Sequence, residues 1–377
     1  SNCNTTDKLF LEYDKDNYGI SLNYKIDNNQ KINFKYTKYT NDYSSPAVLT
    51  QAQLDKDRDG ASTSETDYQA DKDSYSLVYD YNMKDNLKFN LLSSYYNSVS
   101  ESSTSTSITN FDESKIAFKP KLNYKYSKGT LTAGYDYTFN NIVRDTKLGN
   151  GAFYDISKMT NSVFLNNRYN MNKLELITGY RYEKSDYEMK YKNQVLIAPS
   201  DMDKTSSNSA YSMGLNYLYS DSGKLYGKFE SGYTFPDPRQ YINLTNGEGE
   251  LNNLQDEEFM TYEIGFQDYI INSLVKGAVY YTEKENEIRK EGSSSNVKFY
   301  NIDASKRIGG ELSISQKIKK LELSESIAYV DAKVTEGIYE GKRIPYVSKI
   351  TSSINATYTF NEKVDLSANV TYRDKYY

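Results

Sequence analysis

Apolar and polar residues alternate with a period of two along most of this chain. Tyr18, Ile20, Leu22, Tyr24 and Ile26 are interleaved with Gly19, Ser21, Asn23 and Lys25. The pattern restarts at Ile32, Phe34 and Tyr36 beyond an Asp27-Asn28-Asn29 turn, and again at Tyr75, Leu77, Tyr79 and Tyr81. Ile116, Phe118, Leu122 and Tyr124 carry it, as do Leu131, Ala133, Tyr135, Tyr137 and Phe139. It closes with Ile350, Ile354, Ala356 and Tyr358, then Val364, Leu366, Ala368, Val370 and Tyr372. Successive strand side chains point to opposite faces, so each segment has one apolar and one polar face. About 17 such segments of roughly 9–13 residues are expected, the length a tilted strand needs to cross a bilayer. Strands of soluble proteins are shorter, about 5–6 residues.

The connections alternate too. Tight turns are expected near Asn28, Lys84, Lys128, Asn172, Ser222, Asn272, Lys319 and Glu362. Between them lie long polar stretches at 44–72, 97–114, 140–157, 192–207, 236–256 and 285–296. Membrane barrels show this asymmetry, with short turns on the periplasmic rim and long loops outside. A turn at Asp14 to Asn17 is the one short connection on the long side. Glu325 falls in phase with Leu321, Leu323, Ile327 and Tyr329, so it lies at a membrane rim or a bulge shifts the phase there. The fold class is therefore all-β, a transmembrane antiparallel β-barrel. A soluble or surface adhesin lacks a reason to keep the short–long beat.

Composition sharpens this reading. The 377 residues include 40 Tyr, 14 Phe and no Trp. Tyrosine suits strands and membrane interfaces, where the ring is buried and the hydroxyl stays wet. Mean hydropathy is -0.78, as for a soluble chain. A barrel escapes that measure because only alternate residues meet lipid. No stretch of about 18 apolar residues exists, so no transmembrane helix is expected. A formal net charge of -5 disfavours a nucleic-acid partner, which needs a basic surface. Cys3 alone cannot make an internal disulfide and is read as incidental.

From Leu225 onward, motifs join the pattern. Leu225-Tyr226-Gly227-Lys228-Phe229-Glu230-Ser231-Gly232-Tyr233-Thr234-Phe235-Pro236-Asp237-Pro238 is followed by Glu250-Leu251-Asn252-Asn253-Leu254-Gln255-Asp256 and Tyr262-Glu263-Ile264-Gly265-Phe266. Then come Val279-Tyr280-Tyr281-Thr282, Tyr300-Asn301-Ile302-Asp303-Ala304 through Gly309-Gly310-Glu311-Leu312, Ala328-Tyr329-Val330-Asp331, and Arg343-Ile344-Pro345-Tyr346. Taken in order, this run resembles the barrel of TonB-dependent receptors. A weaker match lies around 162–182. The run departs from the family at Asn253 and Asp256, where prolines are common.

The resemblance implies a barrel of about 22 strands with a plug domain inside. It also implies an outer-membrane location in a Gram-negative bacterium and energised import through the inner-membrane partner TonB. Residues 1–377 are read as a single partial barrel domain, without the plug and without terminal strands at both ends. The cargo it implies is a scarce nutrient, foremost a ferric siderophore, with cobalamin or heme as alternatives. A passive porin is the reading from another class. Heme ranks lower because the chain has no His, a common axial ligand.

Two candidate sites follow. Arg239, Gln240, Tyr241 and Asn243 come just after Phe235, where they are expected above the lumen. Arginine stacks on rings and donates a bidentate fork, which suits an anionic, aromatic chelate. Arg144 and Lys147, and Arg289 and Lys290, lie in other long stretches and are expected to converge there. The second is Asp55-Lys56-Asp57-Arg58-Asp59-Gly60, which has the opening of a calcium loop: carboxylates at positions 1, 3 and 5 and Gly at 6. Thr66 occupies position 12, where glutamate is usual, although Glu65, Asp67, Asp71 and Asp73 are near. Thr50-Gln51-Ala52-Gln53 weakly resembles the acidic outer loops of cobalamin receptors. No cofactor is required, calcium in the Asp55 loop apart. Without His there is no Ser-His-Asp or Cys-His set, and no enzyme is expected.

Overall fold

The computed structural model describes residues 13–46, 51–57, 65–147, 151–193, 200–245, 248–293 and 296–376. The strands run in chain order as β1 (Tyr13–Lys25), β2 (Gln30–Pro46), β3 (Glu65–Lys84), β4 (Leu87–Thr104), β5 (Ser107–Tyr126), β6 (Gly129–Thr146), β7 (Ala152–Met171), β8 (Leu174–Asn193) and β9 (Ser200–Leu218). They continue as β10 (Lys224–Thr234), β11 (Ile242–Thr245), β12 (Glu248–Leu251), β13 (Glu257–Ile270), β14 (Ser273–Ser293), β15 (Asn296–Ile318), β16 (Leu321–Glu336), β17 (Ile350–Asn361) and β18 (Val364–Arg373). All but β11 and β12 form one antiparallel meander, each strand pairing with the next and β10 stepping across to β13. No pairing joins β1 to β18 among the described residues. Among the described residues no helix is long and apolar enough to cross a membrane.

The alternation sorts onto two faces that persist from strand to strand. Leu22 pairs with Phe34 and Phe34 with Leu77; Leu176 pairs with Leu215, Ile264 with Val279, and Ile354 with Val370. Phe34 and Leu176 are half-buried and the others are exposed, Leu22 by 59% and Ile264 by 64%. An exposed apolar face of this extent is one made for lipid. Tyrosines bound it at both ends at a fixed spacing of six residues: Tyr18 and Tyr24, Tyr75 and Tyr81, Tyr211 and Tyr217, with Phe89 and Tyr95 in the same relation. Six residues of strand cover ~20 Å. The rings stack within each girdle, Tyr36 on Tyr75 at 4.8 Å at one rim and Tyr126 on Tyr169 at 6.3 Å at the other. Two interfacial girdles thus account for much of the tyrosine content.

All eight expected tight turns fall between consecutive strands. Asp27 accepts hydrogen bonds from the N–H groups of Asn29 and Gln30 at 2.7 and 2.8 Å, closing the first. Ile271 and Asn272 both take positive φ, 48° and 63°, as a two-residue hairpin turn of the right twist demands.

Three expectations need correction. The expected turn at Asp14 to Asn17 is continuous strand within β1. Most of the expected long loops are strand as well. β4 and β5 run on until only Ser105 and Thr106 separate them, and β14 and β15 are 21 and 23 residues long. The reason is physical: beyond the membrane both faces meet water, so the alternation fades while the ladder of backbone hydrogen bonds continues. Conversely, the connection at 337–349 was not read as long. It folds inward, burying Ile344 with Ile302, Ala332 and Val334. Of the two readings of Glu325, the structure favours the rim, because the residue keeps its phase. β16 pairs with β15 and β17 without a shift around it, opposite Ile314 and Ile354. It stands four residues beyond the Lys319 turn, on the lipid face towards the short-turn rim.

Candidate functional site at the extracellular mouth

One long connection has a fold of its own. Residues 236–256 leave β10 and cross from the β7–β9 wall to the β14–β15 wall as a strap. A capping box starts it. The Asp237 carboxylate accepts from the N–H of Arg239 at 2.9 Å, and the Gln240 side chain accepts from the N–H of Asp237 at 2.7 Å. Pro238 pre-sets the turn. The hairpin β11–β12 follows, and Leu244 pairs with Val297 of β15. Asn243 accepts from the N–H of Phe299 at 2.7 Å. At the far end, Asn301 donates to the carbonyl of Gln255 at 3.0 Å and to that of Asn286 at 2.6 Å.

Underneath lies the largest buried cluster: Ile142, Tyr154, Ile156, Tyr187, Met189, Tyr191, Tyr241, Ile242 and Leu254. Its wall residues sit on the face opposite the lipid belt. The strap therefore folds into the mouth rather than away from it. Tyr187 donates to the carbonyl of Pro236 at 3.1 Å, and its ring meets Tyr241 edge-on at 5.4 Å. Lys204 lies over the Tyr241 ring and donates to the carbonyl of Leu254. Lys158 lies over Tyr187 and Phe235, at 5.0 and 5.1 Å.

This placement re-sorts the expected ligand residues. Tyr241 is fully buried, so it anchors the strap and does not face a ligand. Gln240 spends its side chain on the cap. Asn243 is buried and ties the strap to β15. Arg239 stays exposed, bonded to Asp237 at 3.3 Å, with its guanidinium 6.0 Å from the Phe111 ring. Arg144 belongs to β6 rather than a loop. It pairs across the ladder with Phe111 on one side and Tyr154 on the other, and lies 6.0 Å over the Tyr154 ring. Both arginines act on the Tyr154 hydroxyl: burial pushes its pKa up, while Arg144 and then Arg239 pull it down. Arg144 and Arg239 thus lie together, and Nε of Arg144 is buried without a hydrogen-bond partner.

Arg289 is committed elsewhere. Asn286 takes a positive φ of 53° and drops out of the otherwise unshifted β14–β15 pairing, and beyond it Glu287 reaches the inner-face residues Ser305 and Arg307. Glu287 then bonds Arg289 at 2.7 Å, Arg307 at 2.6 Å and the Ser305 hydroxyl at 2.7 Å. Arg289 is half of a structural ion-pair cluster at the β15 end of the strap. Lys290 follows it in the same strand, and Lys147 lies just past β6.

Asp55 and Asp57 lie at the end of a short helix, Gln51–Lys56, and are exposed. Asp59 and Gly60 fall outside the described residues. Among the described residues no group of three or more acidic, His or Cys side chains is placed to hold a metal ion.

Sequence reasoning missed Phe111, Tyr154, Lys158 and Lys204. Their signal was a change of phase. Above the belt the inner positions become aromatic and cationic, where along the membrane they are small and polar. Lower in the lumen, Arg181 bridges Asp136 at 2.9 Å and Glu183 at 2.8 Å beside a cavity of about 1010 Å³.

Known proteins share this architecture. The probable TonB-dependent siderophore receptor PiuA of Acinetobacter baumannii is 24% identical over 248 residues, 59% of this chain and 32% of its own. The crystal structure of the siderophore receptor PiuA from that organism superposes with a TM-score of 0.76 at 16% identity, covering 97% of this chain and 65% of that one. The copper transporter OprC superposes at 0.75 with 13% identity, covering 96% of this chain and 60% of that one. The ferric-catecholate import receptor Fiu from K12 E. coli superposes at 0.70 with 12% identity, covering 96% and 64%. The chain thus spans less than two thirds of the length of these relatives, and what they share with it is the fold. Residues 10–377 match the family described as TonB dependent receptor-like, beta-barrel. With the lipid belt and the inward strap, this establishes that the chain belongs to the β-barrel family of TonB-dependent receptors, proteins of the outer membrane of Gram-negative bacteria.

Proposed function

We propose that this chain forms the ligand-gathering barrel of a receptor that imports an anionic ferric chelate, a siderophore, across the outer membrane, with energy delivered through TonB. One observation carries the reading. Arg144 and Arg239, on separate elements, meet over Phe111 and Tyr154 at the mouth. Guanidinium groups beside aromatic faces suit a ligand that is negatively charged and ring-bearing. PiuA, a siderophore receptor, and Fiu, a ferric-catecholate import receptor, agree with it, while OprC, a copper transporter, shows that the fold alone does not choose the cargo.

The test is uptake of radiolabelled iron by cells whose only high-affinity iron receptor is this one. Ferric tris-catechol, ferric tris-hydroxamate and ferric citrate are supplied in parallel, with heme and cobalamin as competitors and with calcium present or chelated. Uptake of at least one ferric complex, abolished by an uncoupler of the inner membrane, is the expected result. Free passage of small solutes without competition or energy dependence contradicts the proposal and assigns the chain to passive diffusion.

A further inference from the structure

Three strands from Phe111 along the same sheet, the inner face carries a second cationic and aromatic surface. On the inner face of β1–β3, Tyr39 pairs with Asn17 and with Lys72. Lys15 lies 5.3 Å and Lys72 5.4 Å from the Tyr39 ring centroid. Two rows of the inner face further out, Tyr13, Tyr43 and Tyr68 stand side by side, with centroids 6.3 and 5.1 Å apart. No ion pair joins Lys15 or Lys72 to a described carboxylate. The carboxylates of these strands, such as Asp14, Asp16, Asp42, Asp71 and Asp73, occupy the alternate positions and so face outward.

Between this surface and the arginine pair, the inner positions are small. Ala70 on β3 pairs with Ser100 on β4, and Ser100 with Phe111 on β5. Ser98 and Ser102 flank Ser100 on the same face. Strands lie about 4.8 Å apart, so Tyr39 on β2 and Phe111 on β5 are separated by roughly 15 Å across a low floor. Two cations beside one ring, without a counter-charge, repel each other, and an anion placed between them relieves that repulsion.

We infer that Tyr39, Lys15 and Lys72 form a second half-site, and that the ligand is a ferric complex with two or more anionic aromatic arms. One arm stacks on Tyr39 between the lysines. Another lies against Phe111 under Arg144 and Arg239, and the Ala70–Ser100 floor leaves room for the body of the complex. The inference rests on the reading of the chain as a receptor for anionic ferric complexes, and it adds a requirement for aromatic arms that the arginines alone do not impose.

The experiment is equilibrium binding to outer-membrane preparations bearing the receptor, with ferric tris-catechol and ferric citrate as probes. Tyr39→Ala and Lys15→Gln/Lys72→Gln are each expected to weaken ferric tris-catechol binding tenfold or more. Tyr39→Phe, which keeps the ring, is expected to retain it. Ferric citrate, anionic but without rings, is expected to change less than threefold with Tyr39→Ala. Gel mobility of the unheated protein confirms that each variant is folded, and Tyr39→Phe and the lysine pair carry the test if Tyr39→Ala is not. Tris-catechol binding unchanged in both Tyr39→Ala and the lysine pair overturns the second half-site while leaving the receptor reading intact. Absence of binding to either ferric complex in the unmodified receptor overturns that reading, and the half-site with it.

Discussion

Burial alone would push the Glu287 carboxyl up. The Ser305 hydroxyl, Arg307 and Arg289 together hold it below the ordinary glutamate value. A buried carboxylate shared by two guanidiniums is costly to break from one side, because the surviving charges keep their burial without compensation. Glu287→Ala is therefore expected to cost about 3 kcal/mol, read as a lower midpoint for loss of the unheated, fast-migrating form. Glu287→Ala together with Arg307→Met is expected to recover much of it. The same cluster explains why Arg289 is unavailable to a ligand. In the sequence, Arg289 and Arg144 look alike: each is an arginine in a polar stretch between belts. Only the backbone conformation at Asn286, whose positive φ nothing in the residue order announces, sets Glu287 where it partners both Arg289 and Arg307. Arg144 lies on β6 out of phase with Phe139 and Tyr137 and so faces the lumen, although the polar stretch around it reads as a loop in the sequence.

At the scale of elements, the strap carries most of what the mouth can do. The motif run gave its place in the chain but not its direction, since inward folding depends on Tyr187, Met189 and Leu254 meeting across long separations. Asp256 closes the strap. Its Oδ1 is buried without a partner, while Asn208 donates to Oδ2 at 2.9 Å. Burial raises its pKa, opposed by Ser206, Lys204 and Lys158. A carboxyl raised on folding contributes stability that is complete below its unfolded value, about 3.9, and is lost as pH rises through its folded value. Strap docking is thus expected to weaken from acid towards neutral pH. Hydrogen exchange of the 238–254 amides, corrected for intrinsic rates, checks this. Asp256→Asn is expected to remove the slope, and an unchanged slope contradicts the assignment. Leu254→Ala removes a buried side chain and is expected to cost roughly 2–4 kcal/mol of docking, seen as faster exchange of the strap with the meander unchanged.

For the molecule as a whole, the period-two pattern was enough to place the eight tight turns of the short-turn rim and the lipid face. It failed above the membrane, where strands remain strands but both faces are wet. There the meaningful alternation is one of charge: the inner face of β1–β6 carries Lys15, Lys72, Lys115 and Arg144 against Glu113, whereas the outer face is dominated by aspartates. A mouth positive inside and negative outside focuses anions into the lumen. Association of an anionic ferric complex is then expected to slow by roughly tenfold between 0.01 and 0.15 M salt, with dissociation changing less. Stopped-flow quenching of tyrosine fluorescence measures both.

The most direct test of the whole account is the affinity of the receptor for ferric tris-catechol with Arg144→Gln/Arg239→Gln beside the unmodified protein. Each charge-assisted contact is worth about 1.5–3 kcal/mol, so the pair is expected to cost a hundredfold or more in Kd while the barrel remains folded. Equal affinity in the two proteins contradicts the account, because the anion would then be held by some surface other than the one that Arg144, Arg239, Phe111 and Tyr154 build.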